Sequence, residues 1–253
     1  MTKQSFAALL LASTLLASPA LAQDTTDGAA AEATATEATA ETSATTAPAE
    51  MTPEQIEAQN KAIADFTEAQ KLQAAGDHAG TLAKIQGALP TIRMIAERDP
   101  SNVQNAGFLA SALTMAANSQ GALGNIDAIA PLYAEAIPQW RKVYQSDMSQ
   151  TGVRDTLVSL LINVGNFNLI KENKAAAQPH FQEALDLANA GLETNPGSAE
   201  LANAKFSALI GLNQSTGDMA YIEQAKPVAE MLRSKGIVNA ANEPSVNAIL
   251  GAA

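Results

Sequence analysis

Eight prolines follow Pro53, and their spacing constrains the fold of this chain more than any other feature. Pro90 and Pro138 are 48 residues apart, as are Pro131, Pro179 and Pro227 in succession. Pro100, Pro196 and Pro244 share a third phase of the same period, with Met148 at the remaining position. A proline fixes φ and removes a backbone donor, so few positions in a regular element tolerate it. Recurrence at one such period marks a repeated structural unit that stacks on copies of itself.

The unit is helical. From Thr52 onward Ala, Leu, Gln, Glu and Lys dominate, and the alternation of a strand is absent. The best-preserved copy runs from Thr151 to Ser198. It reads as two amphipathic helices with a polar turn at Lys171–Lys174 and a stop at Asn195–Pro196. The first copy opens with Thr52-Pro53-Glu54-Gln55, a capping box with proline at the first helical position. Ile56, Ile63 and Phe66 mark the apolar face of its first helix, Gly76-Asp77 its turn, and Leu82, Ile85, Leu89, Ile92 and Ile95 one stripe on its second. The second copy covers Asn102 to Asp147, with a turn at Gly121–Asn125. Its second helix has the strongest periodicity, through Ile129, Tyr133, Ile137, Trp140 and Tyr144. The fourth copy starts at a Ser198 cap, turns at Gly217-Asp218 and ends at Gly236. The run Val246 to Leu250 is half a helix that caps the last face.

The expected fold is therefore all-α: about four antiparallel helix pairs plus a C-terminal capping segment, over residues 52–253. Pro131, Pro179 and Pro227 fall within the first two turns of second helices, where a missing amide costs little. Pro90 and Pro138 lie deeper, where they would kink the helix.

The unit resembles the tetratricopeptide repeat. The third copy carries Val164-Gly165, then Ala177, Phe181 and Ala184, and a closing Pro196. The second keeps Ala116-Ala117, Ile129, Tyr133 and Ala136. The fourth keeps Leu212, Ala225, Ala229 and Leu232 but has Asn213 in place of the glycine, and the first has Glu68-Ala69, Thr81, Ile85 and Ala88. The common unit has about 34 residues, so the period of 48 is that of a long-helix variant. The resemblance covers roughly residues 53–250. It implies a right-handed solenoid whose first helices line a concave, peptide-binding groove.

The N-terminal stretch has a different character. Residues 1–22 read as a cleavable signal segment: Lys3, an apolar run from Phe6 to Ala17, Pro19, and a small-x-small site ending at Ala22. That run is too short for a membrane span. Residues 23–51 are an Ala/Thr/Glu-rich acidic linker with too little apolar surface to fold. The expected location is periplasmic or secreted. The chain has no cysteine, so the fold rests on packing alone. Residues 52–253 carry a formal charge of −6, which disfavours nucleic acid and anionic lipid as partners, and no stable membrane insertion is expected after signal removal.

Candidate chemistry is sparse. His78 and His180 are the two histidines, each without the third group that a metal or catalytic role needs. There is no glycine loop for phosphate and no G-x-S-x-G context. No catalytic, cofactor or metal site is assigned. Glu183 and Asp186 read as a solvated face, and Trp140, Tyr133 and Tyr144 as core. The polar residues worth weighing share phases on the first helices: Ser111, Ser159 and Ser207 in one, Asn118, Asn166 and Gln214 in another, with Arg154, Asn163 and Lys205 nearby. In a stacked array such sets line one face, where amides bond an extended peptide backbone. Alternatively they satisfy loop and helix-end groups between repeats. The expected function is a non-catalytic protein–protein interaction scaffold in the bacterial envelope. A small-ligand-binding or enzyme-accessory repeat protein, and a self-associating structural repeat, are the alternatives.

Overall fold

The structure is a computed structural model, and it describes residues 51–251. The leader 1–22 and the acidic stretch up to residue 50 lie outside the described residues. The described residues form nine α-helices and no strand: α1 Pro53–Ala74, α2 His78–Arg98, α3 Val103–Ala122, α4 Ile129–Ser146, α5 Thr151–Ile170, α6 Lys174–Thr194, α7 Ala199–Thr216, α8 Ala220–Ser234 and α9 Glu243–Leu250. A short 3₁₀ turn, Ile126–Ala128, precedes α4. Each helix packs against the next along the chain, so the array is built from neighbouring hairpins.

The repeat is written into the turns. After α1 the amide of Asp77 donates to the carbonyl of Leu72, after α3 Asn125 to Gln120, and after α5 Asn173 to Asn168, all at 2.8–2.9 Å. This is the wrapped turn that follows a left-handed residue past a helix end. The left-handed residue is Gly76 (φ 77°), Gly124 (φ 80°) and then Glu172 (φ 60°). Only the third copy places a side chain there, in a region that non-glycine residues rarely adopt. The loops between hairpins repeat as well. The carboxylates of Asp99 and Asp147 each accept from the amide and hydroxyl of the serine two residues on, Ser101 and Ser149. Those bonds hold both carboxyls below the usual range.

The helix prolines are tolerated because they face water. Pro90, Pro131, Pro138, Pro179 and Pro227 are all exposed, as are the residues four before them, Gln86, Asp127, Ala134, Ala175 and Glu223. A carbonyl that loses its helical donor on this side is hydrated instead. Helices α2 and α4 therefore run continuously through Pro90 and Pro138. Pro227 is the eighth residue of α8, deeper than its phase implies for the shared first two turns.

The core centres on one position of the second helices. Phe181 is fully buried between α5 and α7. A Cβ on Gly165 of α5 would stand 2.6 Å from its ring, and one on Gly211 of α7 only 2.4 Å. The two glycines let both helices close on one ring, and α5 and α7 also touch each other directly. One period earlier Tyr133 fills the same position, and before it Ile85, both buried.

On the second helices, Arg93 of α2 grips Glu135 of α4 through two bonds of 2.7 and 2.8 Å. One period on, Arg141 of α4 grips Glu183 of α6 at 2.6 and 2.7 Å. The next rung would join Asn189 to Met231, so the ladder stops there. The bidentate geometry fixes how successive hairpins are spaced, although pairs this exposed add little stability.

Both ends are capped. Leu109 and Leu157, Leu160 and Ala208, and Val164 and Leu212 are buried on α3, α5 and α7. The corresponding α1 positions are Lys61, Ala64 and Glu68, two charged residues about an alanine on the first helix of the described residues. Sequence periodicity marks Ile56 and Ile63 as core, but they are 48% and 46% exposed, and Ala62 and Ala69 are the fully buried residues of α1. At the other end Asn242 is buried, accepting from Ser207 and donating to Asn203. This ties α9 across α7.

Two stability changes are expected. Gly165→Ala drives a methyl into Phe181, and chemical denaturation should show a loss of about 1–3 kcal/mol. Glu172→Gly removes the left-handed penalty and should raise the denaturation midpoint, with a gain of about 1 kcal/mol.

Candidate functional site

The polar residues of the first helices separate into two groups. Arg154, Asn163 and Lys205 occupy phases that are buried in the neighbouring helices. The equivalents of Arg154 are Ala106 and Ala202, each 2% exposed, and those of Lys205 are Leu109 and Leu157. Arg154 itself is 5% exposed and lies across α6, where a Cβ on Gly191 would meet its guanidinium at 2.7 Å. Its Nε donates to Asp155 at 3.0 Å. A buried cation of this kind, neutralised in place beside the final turn of α6, is a packing element.

Asn163 is half-buried and works inside the array. The Tyr133 hydroxyl donates to Oδ1 of Asn118 at 2.9 Å, and the Asn163 side chain bonds the same hydroxyl. Tyr133 thus joins α3 to α5 across the α4–α5 junction, where packing is thinner than between α2 and α3 or α6 and α7. Burial pushes the phenol up to about 12, and the bond from Asn163 acts the other way. Trp140 donates to Oγ1 of Thr114 at 3.0 Å and is 9% exposed, which makes it core, like Tyr133.

The other two phases stay on the surface in every hairpin. Ser111, Ser159 and Ser207 are half-buried, and Ile63 is their exposed counterpart on α1. Asn118 and Gln214 are exposed and Asn166 half-buried, with exposed Gln70 as their counterpart. Individual partners differ. Ser159 bonds the carbonyl of Asp155 at 3.0 Å, Ser207 bonds Asn242, and Asn118 bonds Tyr133. No continuous ladder links the copies, and among the described residues the side chains of Asn166 and Gln214 make no hydrogen bond. The face also carries half-buried Phe66 and Phe108, in edge-to-face contact with centroids 5.0 Å apart, together with Ile162 and Ile210. The exposed isoleucines are the component that periodicity missed. The signal for them was present, because Ile63 shares a phase with three serines.

Elsewhere the surface offers little chemistry. His180 is half-buried. Burial, then the neighbouring Arg141, holds its pKa below the ordinary value, with Glu183 opposing. His78 opens α2, far from it along the array. Glu183 is engaged by Arg141, and Asp186 accepts from Gln182. Among the described residues no group of three or more His, Asp or Glu side chains could hold a metal, and no helix is long and apolar enough to cross a membrane. The hollows between α1 and α2 and beside Arg233 are shallow and open to solvent.

Tyr133 gives the site a spectroscopic handle. Its neutral form is favoured by the fold, so its stabilisation is complete below pH ~10 and is lost as pH rises through about 12. Ultraviolet titration should show a tyrosine phase above the ordinary phenol range. Tyr133→Phe should remove that phase and cost about 0.5–1.5 kcal/mol in denaturation.

Neither a protein-family model nor a curated protein sequence matches this chain.

Proposed function

We propose that the protein is a non-catalytic interaction scaffold of the tetratricopeptide-like kind, a right-handed solenoid that receives a polypeptide on its first-helix face. The observation that carries this reading is the pair of repeated phases left on the surface. One holds Ile63, Ser111, Ser159 and Ser207, the other Gln70, Asn118, Asn166 and Gln214. Side-chain amides, hydroxyls and half-buried apolar groups lie there together, which is the chemistry that holds an extended backbone. The charged Lys61 and Glu68 on α1 favour this face over end-to-end stacking of copies. The leader-like residues 1–22 and the acidic stretch after them support export to the periplasm, where the array acts as an adaptor.

The absence of cysteine makes the test direct. Single cysteines are introduced at Ser159 and Gln214 on the first-helix face, and at exposed Asp186 on α6, each carrying a photo-crosslinker. The first two should capture the same envelope polypeptide and Asp186→Cys should not. Equal capture from Asp186→Cys, or none from the other two, overturns the reading.

A further inference from the structure

The distribution of charge over the array narrows what the first-helix face accepts. Helix α3, from Val103 to Ala122, contains no charged residue at all. Helix α5 contains two, Arg154 and Asp155, and they pair with each other at 3.0 Å with the arginine side chain 6% exposed. Helix α7 contributes Glu200 in its first turn and Lys205 in a phase buried in its neighbours. Helix α1 is the exception, with Glu54, Glu57, Lys61, Asp65, Glu68 and Lys71, of which Asp65 is bridged to Lys84 of α2 at 3.0 Å. The second helices, in contrast, carry the Arg–Glu rungs. In a chain with 41 charged residues, one repeated surface has been kept nearly free of them.

We infer that the occupant of this face is an extended, uncharged polypeptide segment with apolar side chains. This deepens the scaffold reading and rests on it. A charged ligand side chain would leave water here without meeting a counter-charge, and that loss is not recovered. A neutral backbone gives up only its own hydration, which Asn166 and Gln214 replace with side-chain hydrogen bonds. The apolar part of the ligand finds Ile56 and Ile63 on α1. At the turn end of the later first helices it finds Leu123, Ile170 and Met219, which are 43%, 43% and 62% exposed. Three consecutive hairpins thus offer exposed apolar groups beside an amide-bearing floor, with Lys171, paired to Asp127, between them.

The test uses the full chain and three matched panels of short synthetic peptides that share their apolar positions and are otherwise neutral, acidic or basic. Binding is followed by fluorescence anisotropy. The neutral panel should bind with a Kd that does not change between low salt and about 0.5 M salt, and the charged panels should bind at least about tenfold more weakly. Ile63→Asp, on an exposed position that keeps the fold intact by circular dichroism, should weaken the neutral peptides and improve the basic ones. Tightest binding by a charged panel, with a Kd that rises with salt and responds to Ile63→Asp, overturns this inference and leaves the scaffold face standing. Absence of binding by all three panels, or binding indifferent to Ile63→Asp, removes the face itself.

Discussion

A buried aromatic ring held between successive first helices is the contact on which the rest of this array depends. Phe181 meets Gly165 on one side and Gly211 on the other, so two helix backbones close on its ring. Tyr133, one period earlier, does the same work with a polar tip, and its hydroxyl needs Asn118 and Asn163 where Phe181 needs only bare backbone. Ile85 and Ala229 hold the position in the outer hairpins, both fully buried. The bulk is greatest in the two middle hairpins and least at Ala229, where the helix beyond α8 is the eight-residue α9. Close packing makes the match mandatory: a ring this enclosed fixes the identity of the residues facing it.

What surrounds that contact follows from placing polar groups where water or a partner can satisfy them. The prolines and the carbonyls they orphan lie on the exposed side of the second helices. The Arg93–Glu135 and Arg141–Glu183 rungs lie on those helices too, one period apart. Lys61 and Glu68 replace core residues where the array begins, and Asn242 closes it where the array ends. Among the first helices α3 carries no charged residue and α5 and α7 carry two each, and that scarcity of charge gives their shared face a chemical character.

Most of the architecture was legible in the sequence because it is local. The 48-residue proline phases, the Thr52 box and the Gly76, Gly124 and Gly217 turns are each decided within a few residues of backbone. The site was legible only in part. Phase alone placed Ser159 and Asn166 on a common face, but Arg154 and Asn163, also near it in sequence, turn inward, and Lys205 takes a phase that is buried in the neighbouring helices. The isoleucines of α1 went the opposite way. Apolarity argues for burial only when a neighbouring helix is there to cover the residue, and among the described residues no hairpin precedes α1.

The sequence by itself determined that the chain is helical from Thr52 onward, where its main turns fall, and that one unit recurs with a period of 48 residues. These are consequences of backbone freedom, capping and periodicity, which act between near neighbours. Only the tertiary structure decided which side of each helix meets a partner. That choice sent Arg154 over Gly191, joined Tyr133 to two asparagines and left Ile56 and Ile63 in water. It depends on contacts between residues 15 to more than 40 positions apart, such as Tyr133 with Asn118 and Arg93 with Glu135. No local pattern specifies those contacts, because each depends on the shape that the whole array presents.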